Sequence, residues 1–176
     1  MPDSEILAAL KQEKTDVIAD VMHMYQDALF RYAMRMLNFH RQDSEDVVSE
    51  SFIKMYQNRL NFGDDTNLKN WLYRVVHNLC IDKYRRDSKL KIIDIDNLNL
   101  EIKSDEGTHK KEFMMIAEKV LNQLEIEDRS LIVLSILEDR DKAEIAKILD
   151  IKTDQIYLKI FRAKRKAIKL IEKYHV

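Results

Sequence analysis

Apolar residues recur along this chain at three- and four-residue steps, with short polar breaks between the runs. That period matches one face of an α-helix and not the two-residue alternation of a strand. It predicts helices over about 4–12, 15–38, 44–61 and 67–88, then over about 109–123, 127–138, 141–149 and 153–174. In the second, Val17, Val21, Tyr25, Ala28, Leu29, Tyr32 and Met36 form one long apolar stripe. In the third, Val48, Phe52, Met55 and Tyr56 do the same, behind Asp43 or Ser44 as N-cap. The break NFGDDTN reads as a loop, and Asn67 at its end suits a cap for the next helix. Residues 92–108 lose the helical period and are acidic, so they read as an extended linker. The expected fold is therefore all-α, with two small helical domains, 1–91 and 109–176, joined by 92–108.

Two predicted helices carry more than a packing stripe. In NWLYRVVHNLCIDKYRR, Leu72, Val75, Val76 and Leu79 make the packed face. The opposite, solvent face then gathers Asn70, Arg74, His77, Asn78, Tyr84 and Arg85. Trp71 lies near the helix border, and Cys80 reads as a packing residue. Near the other end, Asp141 can cap a short helix whose inner face is Ile145, Ala146 and Leu149, with Ile151 in the tight connection. Asp150, in place of the usual turn glycine, tolerates positive φ better than most residues. Ile156 and Ile160 begin the buried face of the second helix. Thr153, Gln155, Tyr157, Lys159 and Arg162 point outward, with Lys164, Lys166 and Lys169 further along. A short helix, a tight turn and a polar-then-basic surface are what a DNA-binding helix-turn-helix requires.

Charge supports that order. The net charge of −1 argues against nucleic acid until it is divided along the chain. Residues 152–176 hold eight Lys or Arg against two Asp or Glu, and residues 62–91 hold seven against four. Residues 92–112 hold three against six. Distribution matters more than the total. Only two glycines and one proline occur, too few for the turns of an all-β fold. The opening MPDSEILAAL is acidic, without a basic stretch and apolar run, so no secretory leader is expected. No apolar run approaches the roughly 18 residues of a membrane span. The single Cys80 suits a reducing cytoplasm. The five histidines are scattered without metal-ligand spacing, and no glycine-rich phosphate loop is present. No catalytic residue, metal or cofactor is expected, and no enzyme.

Taken together, these segments resemble the extracytoplasmic-function, or group IV, sigma factors of bacterial RNA polymerase. DSEDVVSESFIKMY is similar to the family's region 2.2, and NLKNWLYRVVHNLCIDKYRR to regions 2.3 and 2.4. LEIEDRSLIVLSILEDRDKAEIAKILDIKTDQIYLKIFRAKRKAIKLI is similar to region 4. The resemblance implies an alternative sigma factor that binds core polymerase and directs promoter-specific initiation. Region 2 would meet the β′ clamp helices through Asp46, Ser49, Glu50, Ile53 and Gln57. It would open the −10 element with Asn61, Phe62, Asn67, Asn70, Trp71, Arg74, His77, Asn78 and Arg85. Region 4 would pack on the β flap and read the −35 element with Thr153, Asp154, Gln155, Tyr157, Lys159, Arg162 and Lys166. An anti-sigma factor is the further partner implied, with no direct membrane insertion. Ser49, Glu125 and the stretch 150–157 depart from the family's usual residues, so a −35 sequence preference does not transfer. A self-sufficient helix-turn-helix regulator and a DNA-free helical adaptor are the competing classes; neither would give specific starts with core polymerase.

Overall fold

The computed structural model describes residues 3–90 and 108–174. Among the described residues it is all-helical. The elements are α1 (Asp3–Lys11), α2 (Thr15–Met36), α3 (Arg41–Asn58), a 3₁₀ turn (Arg59–Asn61) and α4 (Leu68–Leu90). After the break come α5 (Thr108–Gln123), α6 (Ile126–Ile132), a π turn (Val133–Leu137), α7 (Lys142–Leu149) and α8 (Thr153–Glu172). The linker expected over 92–108 lies outside the described residues, except that Thr108 already opens α5.

In the first unit, α2, α3 and α4 pack on one another and α1 closes one end. The stripe on α2 is buried at Val21, Leu29, Tyr32 and Met36, and α3 adds Val47, Val48, Phe52 and Met55. On α4, Leu68, Leu72, Tyr73, Val76 and Cys80 face them. Each fully buried aliphatic side chain is worth about 1.5–3 kcal/mol, so this shared stripe holds the unit together. Tyr32 and Tyr73 meet ring to ring at 5.4 Å. Tyr56, expected in the stripe of α3, is exposed instead and lies under the Arg59 guanidinium at 4.1 Å.

The start of α3 differs from expectation. The helix begins at Arg41, and His40, not Asp43 or Ser44, is the N-cap: its ring Nδ1 accepts the Asp43 N–H at 3.3 Å. Ser44 is already inside the helix and donates its hydroxyl to the His40 carbonyl at 2.8 Å. Histidine is an uncommon cap, which is why local preference points to Asp or Ser. Elsewhere the expected caps hold. Asn67 Oδ1 accepts the Asn70 N–H at 2.8 Å, and Asp141 Oδ1 accepts the Glu144 N–H at 2.9 Å.

The second unit contains the helix-turn-helix. Ile145, Ala146 and Ile148 of α7 are buried, as are Ile156, Ile160, Ala163 and Ala167 of α8, which packs on α5 and α6 as well as on α7. Asp150 takes the left-handed conformation, φ 56° and ψ 44°, and the chain turns without glycine.

The two units touch. Arg129 of α6 is 0% exposed, and its Nη1 donates to the Met36 carbonyl at 2.8 Å and to Asn38 Oδ1 at 2.7 Å. Its Nη2 donates to the carbonyls of Asn122 and Leu124, each at 3.2 Å. The guanidinium thus sits at the C-terminal end of α2, where unsatisfied carbonyls and the helix dipole favour a cation. Burial holds its pKa below the ordinary value. Glu138 adds a second junction: Arg35 Nη1 reaches it at 2.5 Å and the Tyr73 hydroxyl donates to it at 3.1 Å.

Candidate polymerase and nucleic-acid interfaces

Three surfaces carry the sequence-predicted site residues. The first is the outer face of α3. Because Val48, Phe52 and Met55 turn inward, helical geometry turns Asp46, Ser49, Glu50, Ile53 and Gln57 outward, and all five are exposed. Ile53 is 56% exposed between carboxylates, and Glu50 pairs with Lys54 at 3.3 Å on the same helix.

The second surface is the loop after α3 together with α4, and here the structure sorts the candidates. Asn61 is exposed and donates to Asn58 Oδ1 at 2.8 Å. Phe62 is buried, edge-on against Trp71 with centroids 5.0 Å apart. It supports the loop from beneath and presents no ring to solvent, a correction to its expected accessibility. Trp71 is half-buried through the same contact. Asn67 is exposed, with its side chain turned to the cap. Asn70 is 9% exposed, so it belongs to the interior and not to the solvent face. His77 leaves that face as well: its Nδ1 lies 3.0 Å from the Tyr32 hydroxyl. Burial, and then the neighbouring Arg85 charge, hold the His77 pKa down at about 4. Tyr84 is half-buried beneath Arg129, at 5.6 Å. Arg74, Asn78 and Arg85 remain on the solvent side. Two of the three are engaged by the second unit: Arg74 pairs with Asp150 at 3.1 Å, and Arg85 with Glu127 at 3.6 Å.

The third surface is α8. Thr153, Asp154, Gln155, Tyr157, Lys159, Arg162 and Lys166 are all exposed. Tyr157 stands out at 64% exposure, with the Lys142 ammonium of α7 4.7 Å from its ring centroid. The remaining cations turn another way. Lys159, Arg162 and Lys166 line one wall of a cavity of about 650 Å³, whose far side includes His77 of α4. Glu127 and Asp128 of α6 line it too, and Lys166 is ion-paired with Asp128. In this arrangement the N-terminal turn of α8 faces open solvent, and its middle faces the cleft between the units.

Sequence reasoning missed the residues that join the units. Arg129 and Glu138 sit in EDRSLI and ILEDR, stretches without a motif or spacing that marks a junction. Their partners lie 93 and 103 residues away, at Met36 and Arg35, beyond the reach of any periodic signal. The support that Lys142 gives Tyr157 was missed for a similar reason, since it crosses the turn.

The described residues thus combine an exposed acidic face on α3, a cationic helix beside a loop and a helix-turn-helix. The family model for sigma-70 region 2 matches residues 21–90, and that for sigma-70 region 4 matches residues 114–166. The chain belongs to the extracytoplasmic-function sigma factors of the sigma-70 family, alternative factors that direct promoter-specific transcription initiation. It is 26% identical over 168 residues to the ECF RNA polymerase sigma factor SigW of Bacillus subtilis, covering 88% of this chain and 89% of that one. It is 24% identical over 154 residues to the RNA polymerase sigma factor YlaC of the same organism, covering 85% and 88%. Its fold is like that of CnrH, solved in complex with the cytosolic domain of CnrY, at a TM-score of 0.73 and 20% identity over 97% of each chain. It is also like that of RpoE from Bartonella quintana, solved with the anti-sigma factor NepR, at 0.71 and 19% over 88% of this chain and 96% of that one. No described helix is long and apolar enough to cross a membrane.

Proposed function

We propose a division of labour among the three surfaces. The outer face of α3, with Asp46, Ser49, Glu50, Ile53 and Gln57, docks on the clamp helices of core polymerase. The loop 61–67 and the exposed side of α4, with Arg74, Asn78 and Arg85, contact and open the −10 element. The helix-turn-helix reads the −35 element as duplex, with Thr153, Asp154, Gln155 and Tyr157 at base edges and Lys159, Arg162 and Lys166 at phosphates; the second unit packs on the β flap. The domain limits are 1–91 and 109–176, with 92–108 as the connection. The chain acts in the cytoplasm without catalysis of its own, and its further partner is an anti-sigma factor; both solved neighbours described above were captured with a bound partner.

One observation carries this reading. The face of α3 is exposed and has no recorded ion pair with the second unit among the described residues, whereas Arg74 and Arg85 of α4 and Lys166 of α8 are held by carboxylates that DNA phosphates can replace. The energies agree with a factor that needs its polymerase. Opening duplex costs on the order of 1.4 kcal/mol per base-pair step. Each base captured by stacking returns roughly 1–3 kcal/mol. A few captured bases nucleate a bubble; the polymerase completes it.

The test is run-off transcription with purified core polymerase and a random promoter library. Specific starts are expected, and their absence sinks the reading. Asp46→Ala combined with Glu50→Ala is expected to weaken core binding about tenfold without unfolding the protein, since interface contacts of this kind are worth about 1–2 kcal/mol. Unchanged binding removes α3 from the docking surface.

A further inference from the structure

The region 2 match begins at residue 21, so α1 stands outside it and its part in the molecule is unassigned. The apolar side of α1 is closed: Ile6, Leu7 and Leu10 are each 1% exposed. Two of its polar side chains, Asp3 and Lys11, reach toward one segment, the stretch from Arg59 to Leu68 that leads into α4, and Glu13 just after the helix does the same. Asp3 Oδ2 accepts the backbone N–H of Leu68, the first residue of α4, at 3.2 Å. Lys11 Nζ lies 3.6 Å from Asp64 in the middle of the loop. Glu13, in the left-handed turn that follows α1 (φ 57°), pairs with Arg59 at the near end. Arg59 is held in turn by the Tyr56 ring and carbonyl.

These contacts matter because the loop has little of its own to hold it. Its internal backbone bond joins Thr66 N–H to the Gly63 carbonyl at 3.1 Å, while Gly63, Asp64 and Asp65 are exposed. The first turn of α4 also needs acceptors for its free N–H groups. Asn67 serves one of them, its side chain taking the Asn70 N–H, while its carbonyl accepts the first intrahelical bond from Trp71 at 3.0 Å. Asp3 takes a second, and brings a negative charge to the positive end of the helix. Lys11 does two things at once: it tethers the loop and offsets the charge of Asp64, which would repel a phosphate.

We propose that α1 is a brace for the −10-reading loop, with Asp3 as a positioning residue for the first turn of α4 and Lys11 as the tether of the loop itself. This rests on the assignment of loop 61–67 and α4 to the −10 element. The brace presets the loop, so that the holoenzyme does not have to order it while the duplex is opening.

The experiment uses full-length variants assembled with core polymerase on a promoter recovered from the run-off screen. Opening is followed by the fluorescence of 2-aminopurine placed in the −10 element, beside core affinity and thermal stability. Losing a charged cap is expected to make Asp3→Ala open about fivefold more slowly, with core affinity held within about twofold. Asp3→Asn, which keeps an acceptor oxygen, restores most of the rate. Lys11→Glu also slows opening, and Lys11→Glu joined to Asp64→Lys recovers it. The proposal is overturned if Asp3→Ala and Lys11→Glu open at the normal rate, or if core binding and opening fall together without rescue by Asp3→Asn. Arg74→Ala and Asn78→Ala separate the two failures. Normal opening by both removes the −10 assignment and the brace with it, whereas slow opening by these two alone removes only the brace.

Discussion

Helices α4 and α8 are both long and cationic and both are assigned to DNA, yet their side chains are held in opposite ways. On α4 most candidates are engaged: Asn70 is buried, His77 is bonded to Tyr32, and Arg74 and Arg85 are paired with carboxylates of the second unit. The loop before it is floored by Phe62 and Trp71. On α8 every candidate is exposed, and among the described residues no ion pair joins one of them to the first unit. The difference fits the two tasks proposed for these helices. A helix that reads a duplex enters the groove as a rod, and needs exposure more than support. A surface that captures unstacked bases has to be arranged beforehand, because ordering it during binding is subtracted from the affinity.

The contrast breaks first at the junction between the units. Arg129→Met leaves the Met36 carbonyl and Asn38 without a donor in a buried site, a loss of about 3–5 kcal/mol. Urea denaturation measures that loss. Small-angle scattering is expected to show a larger radius, as the hold on the end of α2 is lost. Unchanged stability and radius would mean that Arg129 joins nothing.

The next effect lies inside the first unit and depends on pH. His77 stays neutral in the folded chain down to about pH 4, while an unfolded imidazole takes up its proton near pH 6.5. The unfolded state therefore binds more protons within that window, and stability is lost as pH falls through it. By pH 4 the wild type is expected to have lost about 3 kcal/mol more than His77→Gln, which lacks the group. Parallel stability curves for the two proteins from pH 6.5 to 4 would place His77 back in solvent, and α4 would then resemble α8.

The smallest effect sharpens the α8 side. Arg162→Ala is expected to weaken −35 duplex binding and to reduce the slope of log affinity against log salt by about 0.9, the share of one phosphate contact. A salt titration of the polymerase–promoter complex with an unchanged slope would leave Arg162 as a wall of the cleft and nothing more.

Much of this fold was legible in the chain. The eight helical segments follow from three- and four-residue periodicity, and their ends from Asn67, Asp141 and the left-handed Asp150. The exposed faces of α3 and α8 followed from the same wheel, since whatever is not in the stripe must point outward. The wheel failed on α4 because that helix has more than one neighbour: α2 and α3 lie on one side, and α6 and α7 on another. A residue opposite the first stripe can then still be covered, as Asn70 and His77 are.

The sequence by itself determined the helices, the tight turn of the helix-turn-helix and the two cationic stretches, because each depends on residues a few positions apart. Only the tertiary structure decided that Arg129 would be buried at the end of α2, that Glu138 would gather Arg35 and Tyr73, and that Asp3 would cap a helix 65 residues downstream. Those outcomes depend on which desolvated polar group meets which partner across distant segments. A local period carries no record of such meetings.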